Sequence, residues 1–468
     1  MKKIFRFLAA SAVIAASVTT ITSCSSEEPL TPGTGPDLAS GKEKATLTVT
    51  FSGTASTRAV TDANANDNET AISKATIFVF NAQNAYEVDT TVLTPPSAGA
   101  NKYEVTFYVP TGNNKKVYVG LNLDNQMINN IKLNGLGDMS YPLASQEGLF
   151  YISGNTTDPN FKGNPMFNDK PVVVDILPST VNAANVSVER MTSKVTVNTE
   201  GNLDQPGLKK ASNANFDPST LEFAIGNKNN KILPMKEQST SWIDPNWTSL
   251  SVADYAIDFQ HEFAVKDKTY GLDWDVSKFV AVDASTVKVE DRNTKYAFEN
   301  THKDARYGET TYATIKVKFT PEAYATSFDP ILNKPVVTTQ TPANTDTLHV
   351  VVDNNSYYYY TDRLEAQAHV AYLNHSMQTA TNDYTTYYGG YCFYNVFLNA
   401  DPTTKEYQTY RNNYYQVSIA EIKKLGRPYP EIEDSNKNNI IGATGALTVN
   451  ITVNPWSLIS MGNIILGD

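Results

Sequence analysis

An alternation of period two constrains this chain most. Ala45-Thr46-Leu47-Thr48-Val49-Thr50-Phe51 puts Leu47, Val49 and Phe51 on one face and threonine on the other. That is the pattern of a strand with one buried and one solvated side. Similar short runs recur at 75–80, 103–109, 116–121, 172–177, 186–197, 221–225, 312–319, 347–352, 366–373, 390–398 and 414–422, between clusters of Gly, Asn, Asp and Pro. Many short strands so spaced read as an all-β protein built of sandwich domains. The 27 Tyr and 19 Phe agree, because aromatic side chains suit a pleated, half-buried surface. Segments 124–134 and 364–373 fit either a short helix or a strand. The stretch 201–218 carries Gly, Pro, Asn and Asp after a strong strand and gives the best domain boundary, near residue 203.

Charge and chemistry exclude more than they select. The chain has 38 Lys and Arg against 49 Asp and Glu, a net charge of −11, so it lacks the basic balance of a nucleic-acid binder. Five scattered histidines have no zinc spacing. No nucleophile elbow or dinucleotide fingerprint occurs. Asp273 and Asp275 are spaced as any same-side strand neighbours are. Gly41-Lys42 lacks the glycine spacing and the hydroxyl residue of a phosphate loop, and the loop beginning at Asp62 lacks the sixth-position glycine of a calcium loop. The sequence therefore points to no enzyme and no cofactor or metal. Cys392 reads as a buried thiol. The Tyr357-Tyr358-Tyr359-Tyr360 run reads as an aromatic ladder, with a sugar-binding platform as the alternative.

The first residues carry export chemistry. A basic Met1-Lys2-Lys3 start precedes a short apolar run, residues 7–21, too short for a confident membrane span. The run ends at Ile21-Thr22-Ser23-Cys24, which looks like a bacterial lipobox with Cys24 as the lipidated residue. The Pro-, Gly- and Ser-rich stretch 27–44 reads as a tether.

The two ends of the folded region resemble each other. Ala446-Leu447-Thr448-Val449-Asn450-Ile451-Thr452-Val453 is again a period-two strand, with Leu447, Val449, Ile451 and Val453 on one face. Arg58 lies seven residues beyond Phe51, among small flexible residues, and no other Arg occurs between Arg6 and Arg190. Such a segment suits a protease cleft. A cut between Arg58 and Ala59 would remove the first strand and leave 468 − 58 = 410 residues. The vacated groove, with two unpaired edges, favours an extended segment from another copy. A head-to-tail contact of this kind does not close on itself. On pattern alone, the terminal strand equally fits the last strand of its own domain.

Further motifs carry a resemblance. Ser73-Lys74-Ala75-Thr76-Ile77-Phe78-Val79-Phe80-Asn81, Val117-Tyr118-Val119-Gly120-Leu121-Asn122, Gly390-Tyr391-Cys392-Phe393-Tyr394-Asn395, Arg411-Asn412-Asn413-Tyr414-Tyr415 and the terminal Asn454-Pro455-Trp456 resemble the Bacteroidales fimbrillins, and within them the subunits of the short fimbriae. The resemblance implies two transthyretin-like β-sandwich domains, with a signal peptide at 1–23 and a lipidated propeptide at 24–58. An N-terminal sandwich at 59–202 and a C-terminal sandwich at 203–445 would follow, then a donor segment at 446–468. It implies a structural pilus subunit serving adhesion and biofilm formation. Lipidation would fall on Cys24 and cleavage at Arg58 and Ala59. Leu447, Val449, Ile451, Val453 and Trp456 would replace the first strand's Leu47, Val49 and Phe51. Implied partners are identical subunits, accessory fimbrial subunits, an Arg-specific surface protease, host or bacterial receptors and, through the precursor lipid, the outer membrane. A monomeric glycan-binding surface lipoprotein and a tip or anchor subunit are the alternative readings.

Overall fold

The computed structural model describes residues 43–53, 72–93, 95–99, 102–134, 141–142, 164–168, 170–178, 180–229, 231–234, 237–238, 242–243, 259–260, 263, 278–288, 291–302, 304–377, 382–398, 407–432, 437–439, 441 and 457–466. All of them lie within the contact unit Lys42–Asp468.

Nine strands build the first part. They are β1 (Lys44–Gly53), β2 (Lys74–Phe80), β3 (Tyr86–Leu93), β4 (Ser97–Gly99), β5 (Lys102–Pro110), β6 (Gly112–Leu121), β7 (Met166–Asn168), β8 (Val172–Ile176) and β9 (Asn182–Arg190). Their order is β3-β2-β6-β7-β9-β1-β5-β4, with β8 also paired to β6. The sheet folds over itself. Leu47, Val49 and Phe51 of β1 share one core with Ile77 and Val79 of β2 and Val117, Val119 and Leu121 of β6. Strand β2 is buried on both faces, because Phe78 and Phe80 pack on the other side against helix α1 (Asn125–Asn134) through Met127, Ile128 and Ile131. Asp124 starts that helix by accepting the Met127 amide at 2.6 Å.

The chain leaves this sheet at Met191, whose N–H donates to the Pro165 carbonyl at 2.9 Å. Run 186–197 is therefore two strands, β9 and β10 (Thr192–Thr199). β10 belongs to the second part, although the sequence boundary near 203 left it in the first. Its order is β12 (Lys295–Phe298), β10, β20 (Asn413–Ile422) and β21 (Ser457–Leu466), with β10, β20 and β21 mutually parallel. A facing sheet holds β11 (Ala214–Gly226), β13 (Tyr312–Pro321) and β19 (Tyr391–Phe397). Val195, Val197, Tyr415, Val417 and Ile419 meet Phe223, Ile225, Ile315, Val317 and Val396 between them. Apolar faces closed against each other in this way are the sandwich solution for half-buried sheets.

Between β13 and β19 the chain makes an excursion with its own sheet, ordered β15 (Lys334–Thr338), β14 (Tyr324–Asp329), β17 (Ser356–Tyr360), β16 (Thr347–Asp353) and β18 (Thr385–Tyr388). Gly389 and Gly390, at φ +60° and +69°, make the left-handed turn that returns it, and the Phe319 amide donates to the Gly390 carbonyl at 2.7 Å. Helix α2 (Arg363–Met377) covers this sheet through Ala366 and Leu373. Run 366–373, which the sequence left open between strand and helix, is thus helical. Asp362 caps it, accepting the Leu364 amide at 2.7 Å, and Leu, Ala, Glu and Gln favour the helix.

The described chain is all-β apart from helices α1 and α2 and short turns.

Candidate functional site: the slot of the first strand

Strand β1 is an interior strand that local sequence nonetheless defines on its own. It runs parallel to β9, with Leu47 opposite Asn182, Val49 opposite Ala184 and Phe51 opposite Val186. It runs antiparallel to β5, with Leu47 opposite Phe107, Val49 opposite Val105 and Phe51 opposite Tyr103. Leu47 and Val49 are 0% exposed and Phe51 1%. Small residues on β9 leave room for the larger ones of β1. Full burial of three such side chains is worth roughly 5–9 kcal/mol, as an upper figure.

Polar groups fix the strand's ends and outer face. Asn182 is buried, and its Nδ2 donates to the Thr46 carbonyl at 3.1 Å while its Oδ1 accepts the Leu177 amide at 2.9 Å. The Thr111 amide donates to the Glu43 carbonyl at 2.9 Å. On the outer face Thr48 and Thr106 share a hydroxyl hydrogen bond of 2.9 Å. At the far end the rings of Phe51 and Tyr103 stack with centroids 5.7 Å apart. Removing β1 would leave a dry slot with two unpaired edges, which extended backbone can fill by β-augmentation.

The structure places Leu47, Val49 and Phe51 in one core. Cys24, Arg58, Ala59, Leu447, Val449, Ile451, Val453 and Trp456 lie outside the described residues, as do Asp273 and Asp275. Beyond Trp456, β21 pairs with β20 from Asn413↔Ser457 to Ile422↔Leu466 and forms the end of its sheet.

Among the described residues, several aromatic and titratable groups away from β1 are buried and paired inside the fold. Tyr359 and Tyr360 are both fully buried on opposite faces of β17. Tyr359 donates to the Ser212 carbonyl at 2.5 Å, and the Tyr360 hydroxyl meets His369 Nδ1 at 3.1 Å. Cys392 is buried, which pushes its thiol up to about 12, far from a reactive thiolate. Buried Arg411 binds Glu299 at 2.9 and 2.7 Å and donates to the Leu233 and Pro234 carbonyls. Among the described residues no group of three or more His, Cys, Asp or Glu side chains is placed to hold a metal.

Sequence reasoning missed a polar clasp on the segment leading to the terminal strand. The Tyr307 amide donates to Asn439 O at 3.0 Å, the Gly308 amide to Lys437 O at 2.8 Å, and the Ile441 amide to Ala305 O at 2.7 Å. Glu309 beside it is buried, and burial raises its carboxyl to about 7 against the lowering effect of Arg306. Burial likewise drives His302 down to about 4. Arg306 Nη1 also donates to Asn438 Oδ1 at 3.2 Å. No spacing in the sequence announces the clasp, because its partners lie about 130 positions apart and many of its bonds are made by main-chain groups.

The architecture is that of an all-β chain built of several sheets, with β1 paired along both edges. Residues 385–461 match the family described as "Major fimbrial subunit protein type IV, Fimbrillin, C-terminal". Residues 37–248 match "Fimbrillin-A associated anchor proteins Mfa1 and Mfa2". The chain belongs to the Bacteroidales fimbrillin family, whose members build cell-surface fimbriae. No curated protein matches it. Among solved structures, a candidate cell adhesion protein from Parabacteroides distasonis is 14% identical over 84% of this chain and 97% of that one, with a TM-score of 0.46. A fimbrilin from Porphyromonas gingivalis is 14% identical over 90% and 99%, with a TM-score of 0.44. The tip fimbrial protein Mfa3 of Porphyromonas gingivalis, with C-terminal truncation, is 11% identical over 80% and 94%, with a TM-score of 0.34.

Proposed function

We propose that this chain is a non-enzymatic fimbrial building block that polymerises by strand exchange. It is exported as a lipoprotein precursor carrying lipid on Cys24. An Arg-specific surface protease cuts between Arg58 and Ala59 and releases β1. The terminal segment of another copy, with Leu447, Val449, Ile451 and Val453 on its apolar face and Trp456 at its end, then fills the slot left by Leu47, Val49 and Phe51. The filament serves adhesion and biofilm formation, with accessory fimbrial subunits and host or bacterial receptors as further partners.

The observation that carries this reading is the position of β1. It is paired along both edges and sealed on one face, and Arg58 follows its last residue by only five positions. An interior strand so close to a cleavable arginine opens the sandwich when it is cut away.

A second reading has its own support. The match of residues 37–248 to anchor proteins favours an anchor subunit that keeps its lipid and its first strand. The N-terminus of protein sheared from intact cells separates the two, run on a gel with and without boiling. Ala59 at the N-terminus, with a ladder that only boiling collapses, is expected for the stalk subunit. A lipidated Cys24 at the base of a ladder built from other subunits identifies an anchor. A lipidated chain running only as a monomer removes the polymer altogether and leaves a surface-binding lipoprotein.

A further inference from the structure

The walls of the slot have a direction as well as a width. β1 is parallel to β9 and antiparallel to β5, and a strand inserted the other way would present its amides and carbonyls to both walls in a different pattern. Asn182 Nδ2 is already committed to a carbonyl at the level of Thr46, and the Thr111 amide to one at the level of Glu43. On the outer face Thr106 offers its hydroxyl to the level of Thr48. The space also widens along the slot, from Ala45 opposite Val109 to the Phe51 ring stacked on Tyr103.

The terminal segment matches these demands in one direction. At an offset of 400 positions, Leu47-Thr48-Val49-Thr50-Phe51 lies over Leu447-Thr448-Val449-Asn450-Ile451. Leu, Thr and Val are then identical at the first three levels. Thr448 meets the hydroxyl of Thr106, and Ile451 takes the wide end. Gly445 lies at the narrow Ala45 end. Run in reverse with Val453 at the level of Leu47, the segment puts Pro455 at the level of Ala45, where a residue without an N–H cannot donate to the ladder. That arrangement also gives the widest position to Val449.

We propose that the terminal segment enters the slot of a second copy in the same direction as β1, parallel to β9, with Leu447 at the level of Leu47. The proposal rests on the strand-exchange reading and adds a register to it. Thr448 then faces Thr106 of the accepting subunit, Asn450 faces Glu104, and Ile451 packs on Tyr103. The Ile451 side chain lacks the ring of Phe51, so the Tyr103 end of the slot is underfilled in the filament, and Ile451→Phe restores the stack.

Disulfide trapping in assembled filaments tests the register. Thr106 is exposed on the outer face, so Thr106→Cys leaves the core untouched. The full chain carrying Thr106→Cys and Thr448→Cys is expected to give, after oxidation, a ladder that survives boiling and collapses on reduction. Thr106→Cys paired with Thr452→Cys or Asn450→Cys is expected to lose that covalent ladder, and a stronger ladder from either pair overturns the direction. A reducible cross-link within a single monomer shows the chain filling its own slot and also overturns the proposal. A ladder before boiling with no covalent trapping from any pair overturns the register while strand exchange stands. Absence of any ladder, boiled or not, removes strand exchange itself. Independently, Ile451→Phe filaments should need a higher temperature to dissociate than the parent, whereas a gain from Val449→Phe instead places Val449 at the wide end and overturns the register.

Discussion

The molecule holds its two end segments by different physics. β1 is gripped by two ladders and a dry apolar face, with Leu47, Val49 and Phe51 sealed inside. Segment 437–441 is gripped by main-chain hydrogen bonds to loop 305–308, by the Arg306 side chain donating to Asn438, and by the buried apolar side chain of Ile441. Hydrogen bonds exchanged with water contribute about 1 kcal/mol each, whereas a buried large side chain contributes roughly 1.5–3. The first segment is therefore the costlier of the two to remove from its place. The second can detach locally at far lower cost. The weak grip is confined to that segment, because beyond it β21 is held by its own ladder to β20.

Charge placed in the two grips should separate them most sharply. Val49→Asp puts a carboxylate into the dry slot and should destabilise the uncut precursor by several kcal/mol, about 4 or more. The shift of the denaturant midpoint measures it. The same variant cut after Arg58 should match the cut parent, and an equal loss in both forms would mean that Val49 acts outside the slot. Ile441→Ala should cost about 2 kcal/mol and confine its effect to the clasp. Hydrogen exchange should quicken in residues 304–310 while residues 44–53 stay protected. Faster exchange in both segments would show that the two grips are one cooperative unit and break the comparison.

What could be read from the sequence follows the same division. β1 was legible because its environment is one-sided: a core on the Leu47–Phe51 side and water on the threonine side imprint a clean alternation. The break at Met191 was not, because Glu189, Arg190, Met191 and all of β10 are covered on both faces, which erases the period that marks a strand end. Segment 364–373 stayed open between helix and strand for a different reason: the exposed Leu364, Ala368 and Ala371 blur the helical stripe of buried Ala366, His369 and Leu373. The tyrosine run showed its ladder character but not its division between two cores, with Tyr359 in one and Tyr360 in the other. The clasp was least legible, since only the fold brings loop 305–308 to segment 437–441.

The smallest expected effect tests whether the clasp is tuned by pH. Glu309 has its carboxyl raised from about 4.5 to about 7 by burial, so the folded state binds the proton more tightly than the unfolded chain. Its contribution is complete below about 4.5 and is lost as pH rises through 7. His302 acts in the opposite sense: lowered from 6.5 to about 4, it favours the fold above 6.5 and withdraws that contribution as pH falls through 4. Between these limits the two offset each other, and the parent protein should show a nearly flat profile. Glu309→Gln removes the falling limb alone. The variant should match the parent near pH 4, pull ahead as pH rises, and exceed it above pH 7 by about 2 kcal/mol. Urea midpoints at pH 4.5 and 8 measure the difference. A gap of equal size at both values would mean that Glu309 is ionised in the fold and held by Arg306, and the clasp would then be an ion pair with no dependence on pH in this range.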